Sequence, residues 1–265
     1  EEDSIIRRNL MRYQEIYGEN IPAIEHPNIR SREACLASSR KAVELAKRFG
    51  TQLHILHPTT ADELSLFDKG LIDGKQITAE VCVHHLWFQE ADYAKQGFLI
   101  KCNPSIKTEH DRQALLKAVR EDQIDIIATD HAPHTWSEKH QLYLKAPSGL
   151  PLVQHALLML LELSHQKMLS LEQVVQKTSH AVAKRFQVED RGFIREGYFA
   201  DLVIVNPDCQ QSVTREGLYY KCGWSPLEGQ LFQSTIESTL VNGHLVYHQG
   251  VLDKAQKGRG LRFRR

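Results

Sequence analysis

Apolar positions along the chain alternate between a helical and a strand-like rhythm. Ile5, Ile6, Leu10, Met11 and Tyr13 predict a helix over residues 1–17. Pro22 and Pro27 then predict an irregular connection. Ser31 can cap a second helix, with Glu33 in its first turn, Leu36, Val43 and Ala46 on one side, and Gly50 at its end. A strand is predicted over Gln52–Leu56, and Thr60 with Glu63 forms a capping box for a short helix closed by Gly70. The rhythm repeats with a β-branched strand over Ile77–Val83 and a helix capped by Thr108 that carries Ala114, Leu115, Ala118 and Val119. Next comes the apolar run Ile124, Ile126, Ile127 and Ala128, then an apolar helix from about Leu152 to Leu163. A Ser170–Gln173 capping box opens a helix to about Lys177, and another spans about Ala181–Phe186.

Strands alternating with helices imply β-α units around a parallel sheet. The last portion differs in kind. Short strands are predicted over Leu202–Val205, Ser238–Val241 and His244–Tyr247, with Asn242-Gly243 as a two-residue hairpin turn. The domain boundary is therefore placed near Gln187, giving an α/β domain over residues 1–187 and a small β module over 188–265. Three β-α units are visible where a closed (β/α)8 barrel needs eight. Three parallel strands would leave an apolar edge open to self-association, so the sheet is either open or completed by upstream polypeptide.

Composition narrows the partners. The 265 residues carry zero formal net charge and 42% hydrophobic residues, which gives no bulk electrostatic reason to bind nucleic acid or an anionic membrane. The basic stretch from Lys254 to Arg265 reads as a solvated end. Five scattered cysteines without a C-x-x-C pair argue for free thiols in a reducing compartment, and the cytoplasm is expected. No apolar run approaches the ~18 residues that span a bilayer.

Chemistry gathers at the predicted strand ends, where parallel α/β folds place their sites. The strand at Ile124 stops in Thr129, Asp130, His131 and, past Pro133, His134. Asp130 can bind a metal through one oxygen and act as a base through the other, or it can serve as a loop carboxylate. His134 could hold an anionic substrate group, while His131 is expected to face elsewhere. His57, after Gln52–Leu56, is either a metal ligand or a hydrogen-bonded core histidine; His54 lies on the opposite strand face and cannot share one ion with it. The pair His84-His85 after Ile77–Val83 is equally well structural. Asn103-Pro104 is a polar loop whose amide could read a substrate amide or carboxylate.

The motif Ala128-Thr-Asp130-His-Ala-Pro-His134, preceded by Lys101-Cys-Asn103-Pro104, Ala79-Glu-Val-Cys-Val-His84-His85-Leu86 and His54-Ile-Leu-His57, resembles dihydroorotases of the amidohydrolase superfamily. The segment Gly192 to Val203 is similar to the stretch by which such enzymes re-enter their small β domain. The resemblance implies a distorted (β/α)8 barrel with a two-metal centre, usually zinc, at its C-terminal mouth. It implies that His57 and Asp130 bind metal, Asp130 also shuttling the proton, and that His134 and Asn103 hold substrate. Ala146 and Gly149 would lie in a loop whose backbone holds a pyrimidine ring. The implied reaction interconverts L-dihydroorotate and N-carbamoyl-L-aspartate. Allantoinase, hydantoinase and a catalytically silent assembly partner are the alternatives, with a small-molecule substrate and a homo-oligomer as expected partners. The family's His-x-His, bridging lysine and first single histidine are absent, so some ~180 upstream residues are expected of the parent, and the chain alone is expected to be inactive.

Overall fold

Three short parallel strands, β1 (Leu53–Ile55), β2 (Ile77–Cys82) and β3 (Ile126–Ala128), form a sheet in the order β1-β2-β3. A computed structural model describes residues 1–255 and 257–264. The helices are α1 (Asp3–Tyr17), α2 (His26–Ile29), α3 (Arg32–Phe49), α4 (Val83–Trp87), α5 (Tyr93–Gln96), α6 (Glu109–Arg120), α7 (Trp136–Lys139), α8 (Ala156–His165), α9 (Leu171–Val175) and α10 (Ala181–Arg185). Residues Gln176–His180 form a π-helical turn that joins α9 to α10, so the two helices expected there run on as one rod.

The predicted caps are present. Ser31 Oγ accepts from the Ala34 amide 3.3 Å away, and Gly50 closes α3 at φ 65°, a left-handed conformation that glycine adopts without penalty. Thr108 and Asp111 cap α6 reciprocally. Thr60 and Glu63 bond reciprocally, but the helix there is a 3-10 stretch over Asp62–Leu66 that stops before Gly70, and Glu63 does more than cap. Its buried carboxylate accepts from the Thr59 and Thr60 amides and from the Thr60 and Ser39 hydroxyls, which ties α3 to the segment after β1. Pro22 immediately precedes a 3-10 turn over Ala23–Glu25 and Pro27 lies in α2, so most of the connection is helical rather than irregular.

In a parallel pair, registered residues point to the same side of the sheet. The register His54↔Thr78, Glu80↔Ile126 and Cys82↔Ala128 therefore puts His54, Thr78, Glu80 and Cys82 on one face. Leu53, Ile55, Ile77, Ala79, Val81 and Ile127 make the other face wholly apolar. His54 is hydrogen-bonded to Thr78 Oγ1 at 2.8 Å and Glu80 Oε2 at 3.0 Å, so the inner face carries a polar ladder. Among the strand's neighbours, Asp125 is buried, paired with Lys75 and accepting from the Ala79 amide, which anchors the start of β3.

The chain divides into two compact units, residues 1–156 with 214–228, and 157–213 with 229–265. In the second unit an antiparallel sheet β4-β7-β8-β9 is built from β4 (Leu202–Asn206), β7 (Thr235–Val241), β8 (His244–His248) and β9 (Val251–Leu252). β5 (Gln211–Ser212) pairs with β6 (Leu231–Phe232). Asn242 and Gly243, both at positive φ, turn β7 into β8 as the dipeptide predicted. Sheet character changes from parallel to antiparallel beyond Gln187, whereas the compact units cut earlier, because most of α8 with α9 and α10 groups with the β strands. The basic tail is exposed over its described residues, but it is not simply solvated: Arg262 and Arg264 bond through their backbones to Glu189 and Gln187. Gln256 and Arg265 of that tail lie outside the described residues.

Candidate active site

His57 and Asp130 each lie two residues past a strand end, β1 and β3 respectively, and each adopts a left-handed backbone, φ 42° and 46°. A non-glycine residue there is uncommon and carries of order 1–2 kcal/mol of strain, which persists where the surroundings over-determine it. Such strain concentrates at functional positions. Neither side chain makes a hydrogen bond within the described residues. The imidazole and carboxylate are thus open to an external ligand.

β2 lies between their strands, so β1 and β3 are about 10 Å apart by two interstrand spacings. Two side chains sharing one ion would lean over the end of β2. Electrostatics tie that end to both: the nearby His57 helps lower the pKa values of His84 and His85, and Asp130 helps raise those of Cys82 and Cys102, burial being the larger cause for each. The donor set of imidazole and carboxylate fits zinc or a similar divalent cation.

The remaining residues singled out from sequence are gathered by two lysines that sequence reading passed over. Lys101 Nζ donates to the carbonyls of Tyr143, at 2.6 Å, and Ala146, at 2.5 Å. Lys139 Nζ donates to the carbonyls of Lys101, Pro147 and Gly149 at 3.1, 2.9 and 3.0 Å. Both are buried, and desolvation brings Lys101 down to about 8 and Lys139 to about 7. Three carbonyls match the three N–H donors of an ammonium. These bonds fix the loop around Ala146 and Gly149 against the segment leading into Asn103.

His134 closes the same loop. Its Nε2–H donates to the Ser148 carbonyl at 3.1 Å, and its own carbonyl accepts from Trp224 Nε1 at 2.7 Å. Gly149, at φ 143°, allows this approach: a Cβ there would stand 2.5 Å from the Ala132 carbonyl oxygen and 3.1 Å from His134 Nε2. His134 can therefore donate to a substrate carboxylate only through Nδ1 and only when protonated. His131 turns away, its Nδ1 accepting from the Leu152 and Val153 amides at 3.0 and 3.2 Å. Asn103 presents a buried Oδ1 with no hydrogen-bond partner. The structure thus ties His134, Ala146 and Gly149 into one set held against the Lys101 backbone, two residues before Asn103, and sets His57 and Asp130 just past the two outer strands.

An open pocket of about 210 Å³ beside β1 is lined by His54, His57, Glu63 and Pro104, with Glu1 and Cys35 on its far wall. The Glu1 and Glu63 carboxylates are already engaged by Arg30 and by the Thr59–Thr60 turn. His57 lines it without a hydrogen bond among the described residues and is available to a ligand.

A parallel sheet with a polar inner face and imidazole and carboxylate groups at its strand ends defines an α/β protein of the TIM-barrel type. The chain belongs to the Amidohydrolase family, whose model matches residues 34–246. It is 35% identical over 235 residues to a dihydroorotase of Halobacterium salinarum, covering 88% of this chain and 54% of that protein. It is 32% identical to an allantoinase of Bacillus velezensis, covering 83% of this chain and 49% of that protein. Among solved structures, an L-hydantoinase (dihydropyrimidinase) from Arthrobacter aurescens superposes with a TM-score of 0.84 at 21% identity, over 94% of this chain and 56% of that one. The chain spans about half the length of the curated relatives it matches.

Proposed function

We propose that this chain is the C-terminal portion of a dihydroorotase, a metal-dependent cyclic amidohydrolase that interconverts L-dihydroorotate and N-carbamoyl-L-aspartate in pyrimidine synthesis. Residues 1–187 are then the later part of the barrel and 188–265 part of the small β domain, a division supported by the change from parallel to antiparallel pairing. What carries the functional reading is the strand-end Asp130, strained and without a hydrogen-bond partner among the described residues, four residues before a His134 locked to the Ala146–Gly149 loop. Relatives bearing the dihydroorotase name at 30–35% identity support it.

His57 and Asp130 would hold zinc, which supplies polarisation of the amide carbonyl and an activated water near neutral pH. Asp130 accepts the proton of the attacking water and delivers it to the leaving ring nitrogen. His134, protonated at Nδ1, pairs with the substrate carboxylate. Asn103 reads a ring amide, and the backbone around Ala146 and Gly149 frames the ring. The free state of the five cysteines supports a reducing, cytoplasmic setting. Two ligand residues are too few for a two-metal centre, so the chain alone is inactive.

The allantoinase relative keeps a second reading in play. The whole protein containing this chain, assayed with dihydroorotate, allantoin and hydantoin, decides between them. Turnover of dihydroorotate is expected; turnover of allantoin or hydantoin alone would overturn the substrate assignment. No turnover with less than about one zinc per chain would favour a silent partner.

A further inference from the structure

The middle strand ends differently from its neighbours. β2 stops at Cys82 and α4 begins at Val83 with no loop between, so Cys82, His84 and His85 fall within a single turn. Each offers one donor atom, a thiol sulfur or a ring nitrogen, and the three atoms lie within 4.8 Å of one another. All three side chains are 2% exposed or less.

Buried polar atoms normally find partners. Among the described residues, the buried side-chain nitrogens and oxygens that lack one are both ring nitrogens of His84, Nδ1 of His85 and Oδ1 of Asn103. The two histidines adjoin the Asn103-Pro104 turn, since His85 Nε2 lies 3.1 Å from the carbonyl of Pro104. A carbonyl can only accept, so Nε2 carries the ring proton and Nδ1 keeps its lone pair. A backbone carbonyl that fixes the tautomer of an imidazole in this way is the usual support behind a metal-binding histidine. Burial holds both rings neutral, His84 down to about 3 with His57 as a lesser cause, against the opposing pull of the nearby Thr129 backbone, which stands outside hydrogen-bond geometry. Neutral imidazole is the ligating form. Cys82 also faces inward, on the polar side of the sheet.

We propose that Cys82, His84 and His85 form a binding site for a borderline divalent cation of the zinc or cobalt(II) kind, with its own donor set beside the His57 and Asp130 positions. One thiolate and two imidazoles suit such an ion and leave a fourth tetrahedral position open. The cation displaces the Cys82 proton, since a coordinating thiol deprotonates outright.

Cobalt(II) chloride titrated into the metal-free full chain is the test, read by the thiolate-to-cobalt charge-transfer absorption in the near ultraviolet. The band is expected in the unmodified chain and in Cys102→Ser, and it should vanish in Cys82→Ser. His84→Gln should weaken cobalt binding about tenfold or more. The band should persist in Asp130→Asn, which separates this site from the hydrolase reading above; its loss there would overturn the independent site. No band in the unmodified chain, as when buried water satisfies the rings, would also overturn it, as would a band that survives Cys82→Ser. Should Cys82→Ser fail to fold by circular dichroism, X-ray absorption of the zinc-loaded unmodified chain takes its place: one sulfur neighbour supports the site, none refutes it.

Discussion

The left-handed residues of the two units resemble each other in backbone and differ in reason. In the antiparallel sheet, Asn242 and Gln249 take φ 52° and 45°, and each is followed by a glycine in a tight hairpin turn. Turn geometry explains both. In the parallel sheet, His57 and Asp130 take φ 42° and 46° but are followed by Pro58 and His131, with no hairpin to require it. The same distinction runs through the polar groups. His248 and His244 of the antiparallel sheet are bonded to Ser238 and Asp253, whereas the end of the parallel sheet holds buried ring nitrogens without partners. One region uses special conformations to close turns; the other stores them beside unsatisfied donors and acceptors, which is how a site looks before its ligand arrives.

Asp130→Asn breaks the comparison hardest. Asparagine tolerates the left-handed backbone, so folding stability should move by less than about 0.5 kcal/mol while turnover by the whole protein falls about a thousandfold. Equal losses of stability and activity, read by urea melts beside steady-state rates, would assign Asp130 a structural role. Lys139→Met comes next. It strands the carbonyls of Lys101, Pro147 and Gly149 and should cost about 4 kcal/mol in chemical denaturation of the first unit, with Lys139→Arg recovering part of it.

Acid should act on the first unit before the second. Burial lowers the folded pKa of His155 to about 4 from an ordinary 6.5, and also holds His26 and His85 well below their ordinary value. The unfolded chain then binds more protons between those values, so this stabilisation is complete above pH 6.5 and is lost as pH falls towards 4. His155 alone should account for about 3 kcal/mol. Hydrogen exchange at stepped pH, resolved by segment, checks whether the strands β1 to β3 open first. The smallest effect belongs to the hairpin: Gln249→Gly should change stability by less than about 1 kcal/mol, because relief of left-handed strain is offset by the freer unfolded chain. A larger loss would show that the Gln249 side chain matters beyond its turn.

Much of this was legible in the chain itself wherever the cause is local. The caps at Ser31, Thr108 and Ser170, the glycine stop at Gly50 and the Asn242-Gly243 turn depend on neighbours a few residues away, and they fold as read. Short apolar and β-branched runs between helical patterns pointed to the parallel sheet, and the break from Ala128 to Asp130 marked where it ends. Strand lengths were over-read at Ile124 and Val83, since the first is held in register by Asp125 and the second is taken up by α4.

What sequence alone determined is therefore the order of elements, their caps and the residues placed at each strand end, all set by interactions spanning a turn or a pleat. Only the tertiary structure decided which of the fourteen histidines lose their water, that Lys101 and Lys139 would be buried to hold one loop, and that Cys82, His84 and His85 would be buried together beside the Pro104 carbonyl. Desolvation and long-range hydrogen bonding join residues that are distant in the chain, and no local pattern encodes who those neighbours will be.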